Sequence, residues 1–367
     1  SEWKEYKFSD FVSINPTIKM PTNEPISFVE MKDLVDGKKY CYPSSTRLKG
    51  GGAKFENRDT LFARITPCLE NGKICQVMGL KNGVGFGSTE FLVFRGKSKV
   101  SDSDFVFYLS RWSEVRSHAE INLDGTSGRQ RVPKDCFNEL ILNLPESVLE
   151  QTAIASVLSS LDDKIDLLHR QNATLEKIAE TLFRQWFVEE AKEEWKEGKL
   201  SELVIVKYGK DHKKLLDGEI PVFGSGGLMR HVEKSLYNKE SVLIPRKGSL
   251  NNVMYQDEPF WTVDTMFYTE MKIPNVAKFI YHFLKEQDLA SMNVGSAVPS
   301  MTTEILNNMP LDIPPIEVFE KFEGAVAPLY AKTKSNQTQI NTLSALRDTL
   351  LPKLMSGEIR IEKMELI

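Results

Sequence analysis

The side chains best suited to chemistry in this sequence are arginine, lysine, glutamine and asparagine residues in short glycine-containing stretches. One stretch, GTSGRQRVPKD at 125–135, holds Arg129, Gln130 and Arg131. Another, PRKGSLNN at 245–252, holds Arg246, Lys247, Asn251 and Asn252. Arg, Gln and Asn match the hydrogen-bonding edges of guanine and adenine, and Lys suits phosphate oxygens. These stretches could therefore recognise a nucleic acid, although a short basic loop is more often plain solvated surface.

Further candidates for the same chemistry fall on predicted strands and turns. Alternation over 60–65 predicts a strand, and ENGK at 70–73 predicts a turn into a second strand over 74–77. This hairpin would place Arg64 and Lys73 on one side. The full set of predicted nucleic-acid contacts is Arg47, Arg64, Lys73, Arg129, Gln130, Arg131, Arg230, Arg246, Lys247, Asn251 and Asn252.

No catalytic or metal-binding motif accompanies these residues in the sequence. It has no G-x-S-x-G, no H-E-x-x-H, and no Asp/Asn-Pro-Pro-aromatic tetrapeptide of the kind that amino-methyltransferases use to hold an amine. The four cysteines make no C-x-x-C pair, which predicts reduced thiols and no structural metal. GSGG at 224–227 lacks the spacing of a phosphate-binding loop, and we predict a turn there.

A long heptad helix in the middle of the chain is the strongest structural signal. Ser147 and Glu150 form a candidate capping box before an apolar run that reaches about Glu190, or about 60 Å of helix. A seam of this length needs a partner helix. The predicted seam positions are Leu158, Leu161, Ile165, Leu168, Asn172, Leu175, Ala179, Leu182 and Trp186.

An internal repeat supplies that partner. WKEYKFSDFV at 3–12 recurs as WKEGKLSELV at 195–204, and ELILNLPESVLEQ before the first helix is echoed around 308–321. A second heptad run follows the echo. We expect its regular part to begin after Gly324 and Pro328 and to stop at Pro352 and Gly357. Its predicted seam positions are Phe322, Val326, Leu329, Thr333, Asn336, Ile340, Leu343, Arg347, Leu350 and Leu354.

The order of domain, helix, domain, helix allows the two helices to pair antiparallel, with two related domains about a pseudo-twofold axis. Duplex DNA would suit such symmetry. A tandem duplication, in which each helix packs on its own domain, remains the alternative.

The charge distribution is uneven along the chain. The net charge is −4 and the pI about 5.9, and the segment 145–200 alone carries about −5. The flanking domains are therefore free to carry basic patches. The absence of a long apolar stretch or an apolar leader predicts a cytoplasmic protein.

Taken together, these features resemble the specificity subunits of type I restriction-modification systems. LFARITPCLENGKI at 61–74 is similar to one class of their target recognition domains, and IPVFGSGGL, SVLIPRKGSLNNV and PFWTVDT within 220–265 are similar to another. The runs at 144–187 and 314–359 resemble the family's central and distal conserved regions. The resemblance covers essentially the whole chain and includes the order of the repeat.

The resemblance implies an α+β fold with two mixed α/β target recognition domains separated by two long antiparallel helices in a coiled coil. Residues 1–144 and 193–313 would be the recognition domains, 145–192 the central helix, and 314–367 the distal helix and tail. Each domain would read one half of a split, asymmetric DNA site, and the helices would set the spacer between the halves.

The same resemblance implies a non-catalytic subunit that binds no cofactor itself. Its partners would be double-stranded DNA, two methyltransferase subunits that use S-adenosylmethionine, and restriction subunits that use ATP and Mg. Two rival interpretations stay open from the sequence. One is the specificity part of another type of restriction or methylation system, and the other is a scaffold, or methyltransferase accessory protein, without DNA preference.

Overall fold

The structure is a computed structural model that describes residues 2–48, 50–126, 128–292 and 299–361. The chain divides into two compact units. The first unit is Ser1–Arg170 with Asn336–Ile367, and the second unit is Gln171–Ser335. Each unit combines β-sheets and short helices with segments of two long helices. The mixed α/β fold predicted from the sequence is confirmed.

The first part of the chain supplies the sheets of the first unit. Its elements are β1 (Trp3–Lys7), α1 (Phe8–Phe11), β2 (Val12–Ile14), β3 (Ile26–Val29), β4 (Tyr40–Cys41), β5 (Ser45–Arg47), β6 (Ala53–Glu56), β7 (Thr60–Ala63), β8 (Ile74–Val77), β9 (Val84–Gly87), β10 (Phe91–Gly96), α2 (Ser103–Arg111), α3 (Ser113–Ile121), β11 (Ile141–Pro145) and α4 (Val148–Arg184). The five-stranded sheet has the order β2-β10-β7-β8-β4, and a four-stranded sheet has the order β5-β3-β9-β6.

A core of aromatic side chains holds α2 against the five-stranded sheet. Every residue of β7 is buried, including the polar Thr60, so both faces of this strand are covered. Phe62 and Phe94 pack with their ring centroids 5.4 Å apart, and Phe137 contacts both rings. Gln151 joins this core to α4, since its amide donates to the carbonyls of Val100 and Pro145. The strand predicted over 74–77 is confirmed as β8, and the strand predicted over 60–65 is confirmed as β7, which ends two residues earlier, at Ala63.

The second part of the chain supplies the second unit. Its elements are β12 (Lys196–Lys199), α5 (Leu200–Leu203), β13 (Val204–Tyr208), β14 (Ile220–Gly224), β15 (Gly227–Val232), β16 (Ser241–Pro245), β17 (Met254–Gln256), β18 (Trp261–Thr262), β19 (Met266–Met271), α6 (Ala277–Glu286), α7 (Thr303–Asn307), β20 (Pro310–Ile313) and α8 (Ile316–Met355). A four-stranded sheet has the order β13-β19-β16-β17, and a three-stranded sheet has the order β15-β14-β18. GSGG forms the β14–β15 turn, so the predicted turn is confirmed.

The repeated sequences adopt the same local structure in both units. WKEYKFSDFV forms β1 and α1, and its repeat forms β12 and α5. Each copy pairs antiparallel with the strand that leads into a long helix, β1 with β11 and β12 with β20. In each unit the strand from the WKE sequence is therefore hydrogen-bonded to the strand that precedes the long helix. This shared pairing confirms the internal repeat.

The long helices run antiparallel within each unit. In the first unit Asp162 contacts Arg347, while Ile165 and Leu168, further along α4, cluster with the earlier Ile340 and Leu343 of α8. In the second unit Phe183, near the end of α4, and Trp186, just beyond it, contact the early α8 residue Phe322. All predicted seam positions are buried or partly buried, as the heptad pattern requires.

The structure corrects the predicted limits of the second helix. Gly324 and Pro328 lie inside α8, which begins at Ile316, and Pro352 lies inside its last turn. An interior proline costs about 3 kcal/mol, but the turns around it bury Phe319, Phe322 and Val326, each contributing roughly 1.5–3 kcal/mol. Helix formation is therefore favoured across this segment. Gly357, with φ +75°, follows the helix end at Met355, in agreement with its predicted role as a stop.

Helix α4 matches its predicted extent closely. It begins at Val148 and is extended beyond Arg184 by a wider π-type turn over Gln185–Glu189. In the part of the chain that the structure describes, no helix is both long and apolar enough to cross a membrane.

Candidate nucleic-acid interface

Arg64 and Arg246 occupy equivalent positions in the two units. Arg64 follows β7; its N–H donates to the Glu90 carbonyl at 2.9 Å, and its carbonyl accepts from the Val132 N–H at 2.8 Å. Arg246 follows β16 and makes the corresponding bonds, to the Thr265 carbonyl at 2.9 Å and from Met301 at 2.8 Å. In each unit, a buried strand is therefore followed by an arginine whose backbone N–H and carbonyl are both hydrogen-bonded.

In the first unit the structure brings Arg64 together with the predicted GRQR residues. Arg131 Nε lies 2.9 and 3.0 Å from the two carboxylate oxygens of Glu90, the residue bonded to Arg64. The backbone carbonyl of Gln130 accepts from the Thr66 N–H at 3.0 Å, and Arg129 is exposed beside it. The Nε of Arg64 is buried and has no hydrogen-bond partner among the described residues. This group brings two arginines and a glutamine together near one carboxylate, and arginine and glutamine are residue types that read base edges.

Two predicted contacts of the first unit have roles inside the fold. Lys73 is next to Arg64 along the β7–β8 hairpin, since the Ala63 N–H bonds to its carbonyl, but its ammonium donates to the Met31 carbonyl at 3.0 Å. Arg47 lies on β5 with its guanidinium 3.5 Å from the Phe28 ring centroid and 3.1 Å from a carboxylate oxygen of Glu30.

In the second unit four loops meet at one edge, which we call the loop edge and define as Tyr208–Lys210, Ser225–Gly227, Arg246–Asn252 and Val263–Thr265. Arg246 Nη1 donates to the Asp264 carbonyl at 3.0 Å, and its guanidinium lies 5.4 Å from the Tyr208 ring centroid. Asn252 Nδ2 donates to the Ser225 carbonyl at 2.8 Å. Lys247 is exposed. The predicted residues Arg246, Lys247 and Asn252 are therefore brought together.

Two other predicted contacts of the second unit brace the structure around the loop edge. The Asn251 amide donates to Asp288 at 3.1 Å and accepts from the Ala290 N–H at 2.9 Å. Arg230 Nη2 donates to the Leu215 carbonyl at 2.7 Å and lies 3.3 Å from Asp217. The sequence predicted that both residues contact nucleic acid and did not reveal these partners within the protein.

The structure adds basic residues that the set of predicted contacts did not include. Lys210, Lys213 and Lys214 are exposed in the segment after β13, and the Trp261 indole fixes this segment by donating to the Lys210 carbonyl at 2.8 Å. The run KDHKK at 210–214 is the sequence feature that could have predicted these lysines. In the first unit Lys54 and Lys134 line a cleft of about 510 Å³ beside Asn15 and Gly52. Lysines in such places suit phosphate contacts, which position a protein on DNA.

Metal chemistry finds no support in the residues that the structure describes. Across 2–48, 50–126, 128–292 and 299–361, no group of three or more His, Cys, Asp or Glu side chains is placed to hold a metal ion. The cysteines at 41, 68, 75 and 136 are free thiols.

Comparison with known proteins identifies the family. The chain matches the type I restriction modification DNA specificity domain over residues 1–177 and again over 192–345. It is 28% identical over 306 residues to the type I restriction enzyme MjaIX specificity subunit of Methanocaldococcus jannaschii, covering 71% of this chain and 70% of that protein. It is 22% identical to the HindI specificity subunit of Haemophilus influenzae, covering 98% and 100% of the two chains.

A solved structure shares the fold. The type I restriction-modification S subunit from M. genitalium superposes with a TM-score of 0.61 at 19% identity, and the match covers 96% of both chains. The two matched domain copies contain the equivalent arginines Arg64 and Arg246. The chain therefore belongs to the family of type I restriction-modification DNA specificity subunits, the non-catalytic recognition components of these systems.

Proposed function

We propose that this chain reads a bipartite, asymmetric DNA target, with each unit reading one half-site. The observation that carries the proposal is the equivalence of Arg64 and Arg246, which end corresponding strands with the same backbone bonds. Their neighbours differ. Arg64 lies beside Glu90 and Arg131, whereas Arg246 lies beside Tyr208 and Asp264 and is followed by Lys247. One scaffold with two sets of side chains suits a target whose halves have different sequences.

The long helices α4 and α8 would set the spacer between the half-sites. The two helices are 37 and 40 residues long, and a helix rises about 1.5 Å per residue. A spacer of fixed length would follow from helices of fixed length. Exposed apolar residues on α4, such as Leu149, Leu167 and Ile178, provide surface for partner subunits.

The partners proposed are two methyltransferase subunits and the restriction subunits that complete a type I complex. In this proposal S-adenosylmethionine, ATP and Mg act in the partner subunits and this chain binds none of them. The complex would work in the cytoplasm. The overall charge of −4 is compatible with this arrangement, because methyltransferase subunits would supply many of the phosphate contacts.

The test is to express the chain with the methyltransferase encoded beside it, purify the complex, and map methylated adenines in host DNA by single-molecule sequencing. We expect one split motif with an adenine methylated in each half. A complex that assembles and binds S-adenosylmethionine but methylates no defined motif would refute the proposal. The R64A/R246A double variant should retain assembly and methylate a motif that is relaxed at one base position in each half.

A further inference from the structure

Two large apolar side chains are exposed at the loop edge of the second unit. Leu228 and Met229 are each 56% exposed and adjacent in β15, directly after the turn Ser225–Gly227. β15 is the edge strand of its sheet and pairs only with β14 among the described strands. The β14–β15 hairpin therefore forms the middle strand and one edge strand of this three-stranded sheet, with apolar residues next to its tip.

The position of this hairpin tip is fixed by neighbouring loops. The Asn252 amide holds the Ser225 carbonyl at 2.8 Å. A Cβ added at Gly248 would lie 2.8 Å from the Ser225 hydroxyl, and one added at Gly224 would lie 2.6 Å from the Met229 sulfur. Glycine at these two positions allows the 246–252 loop and the Met229 side chain to approach the turn closely. The exposed pair is thus presented on a braced element.

Basic residues lie on the elements next to this apolar pair. Arg246 and Lys247 lie on the loop that braces the turn, and Lys210 lies beside Thr262, in the strand next to β14. Exposed acids are also present, at Asp211 and Asp264. Apolar contacts rimmed by bases suit duplex DNA: the major groove admits a two-stranded β-ribbon, its apolar group is the thymine methyl, and phosphates line its edges.

We propose that the β14–β15 hairpin enters the major groove of the second half-site and that Leu228 and Met229 select an A·T pair by contacting the thymine methyl group. This inference rests on the proposed function, because it assigns a base-selecting element to the half-site that the second unit reads. An adenine methylated in each half-site guarantees at least one thymine opposite it, so the contact has a possible target in any sequence that the chain recognises.

The experiment uses the purified complex with its methyltransferase and duplexes that carry the mapped motif. Each thymine of the second half-site is replaced in turn by deoxyuridine, which lacks the methyl group. We expect one replacement to weaken binding about three- to tenfold. The L228A/M229A variant should bind the thymine and deoxyuridine duplexes equally and should keep full discrimination in the first half-site. The matched control is I205A, which shortens an exposed apolar strand residue at the other end of β13.

Three outcomes would overturn the inference. The first is that no deoxyuridine position affects the wild-type complex. The second is that L228A/M229A weakens binding to all duplexes by the same factor. The third is that the variant keeps its DNA discrimination but no longer retains the methyltransferase on size exclusion, which would assign the pair to a protein partner. Failure of the proposed function is a separate result, because it would leave the wild-type complex without any split motif to test.

Discussion

Arg347 Nη1 lies 2.7 Å from Asp162 Oδ1, and both side chains are at most 4% exposed. The same carboxylate accepts from the Tyr108 hydroxyl at 2.7 Å, and the same Arg347 nitrogen donates to the Gly37 carbonyl at 2.8 Å. Burial and the charge of Asp162 raise the pKa of Tyr108, so this hydroxyl remains a donor at neutral pH. One ion pair therefore joins α4, α8, α2 and the loop before β4 in the first unit.

Removing one partner of this ion pair should destabilise the first unit strongly. In R347M the Asp162 carboxylate stays buried without its cation, which typically costs about 3–5 kcal/mol. Urea denaturation at pH 7, followed by circular dichroism, measures the loss. A loss under about 1 kcal/mol would mean that water replaces the guanidinium and that the pair adds little.

The matched control for R347M is R170M. Arg170 pairs with Asp166 at 2.9 Å on the surface of α4, and its side chain is 71% exposed. An exposed pair of this kind contributes about 0.3–0.5 kcal/mol. A similar loss in both variants would show that the charge of the helix surface, and not the buried pair, accounts for the effect.

The local sequence pattern predicted much of this fold. It did not predict the contacts between distant segments. The heptads located α4 and α8 because each seam repeats within one helix, and the repeated WKE sequences located matching strands. The seam included Arg347, but its partner Asp162 is 185 residues away and lies next to the predicted seam position Leu161. No periodicity links these two residues.

The predicted site residues show the same difference between local features and contacts with distant segments. Arg64 was predicted from a strand end and Arg246 from a turn between strands, which are local features. Asn251 and Lys73 were chosen for their residue types, and the structure ties them to Asp288 and to the Met31 carbonyl, partners that local pattern does not reveal. The continuation of α8 through Pro328 was missed for the same reason, since buried neighbours on other elements outweigh the local cost of proline.

Lengthening both long helices should lengthen the recognised spacer. Insertion of one heptad after Ala173 in α4 and one after Thr333 in α8, residues that line one cleft in the second unit, keeps both seams in register. Seven residues add about 10 Å of helix, or about three base pairs of B-DNA at roughly 3.4 Å each. Methylome mapping of the co-expressed complex gives the new spacer directly.

The control for this insertion is the same heptad placed in α8 alone, which should shift one seam against the other and prevent assembly. A doubly lengthened variant that methylates DNA with the original spacer would show that the helices do not measure the distance between half-sites.

Acid should destabilise the second unit through His282. Burial lowers the pKa of His282 to about 4, and the side chain is 2% exposed with Nε2 3.0 Å from the Tyr330 hydroxyl. In the unfolded chain histidine has a pKa of about 6.5, so the unfolded state binds the proton more readily between these values. Stability is therefore full above about pH 6.5 and falls towards pH 4, by about 2 kcal/mol between pH 7 and pH 5.

Urea denaturation of the wild type and H282F at these two pH values isolates this contribution, because phenylalanine cannot bind the proton and fits beside Phe183 and Phe322. H231Q changes an exposed histidine of the same unit and should behave as the wild type. Equal pH dependence in H282F and the wild type would assign the acid sensitivity to other groups.

Arginine and lysine variants at the candidate interface should affect DNA binding in different ways. Loss of a base-reading arginine in R64A or R246A should cost about 1–3 kcal/mol at one base position of one half-site, whereas K210A or K213A should weaken all sequences alike and reduce the salt dependence of binding.

N251A serves as the structural control, since its amide bonds lie within the fold and its loss should lower stability without changing sequence preference. Binding of the assembled complex to duplexes with single substitutions, at two salt concentrations, separates these cases. A uniform loss for R64A and R246A across every position would remove both arginines from base reading and leave them as phosphate contacts.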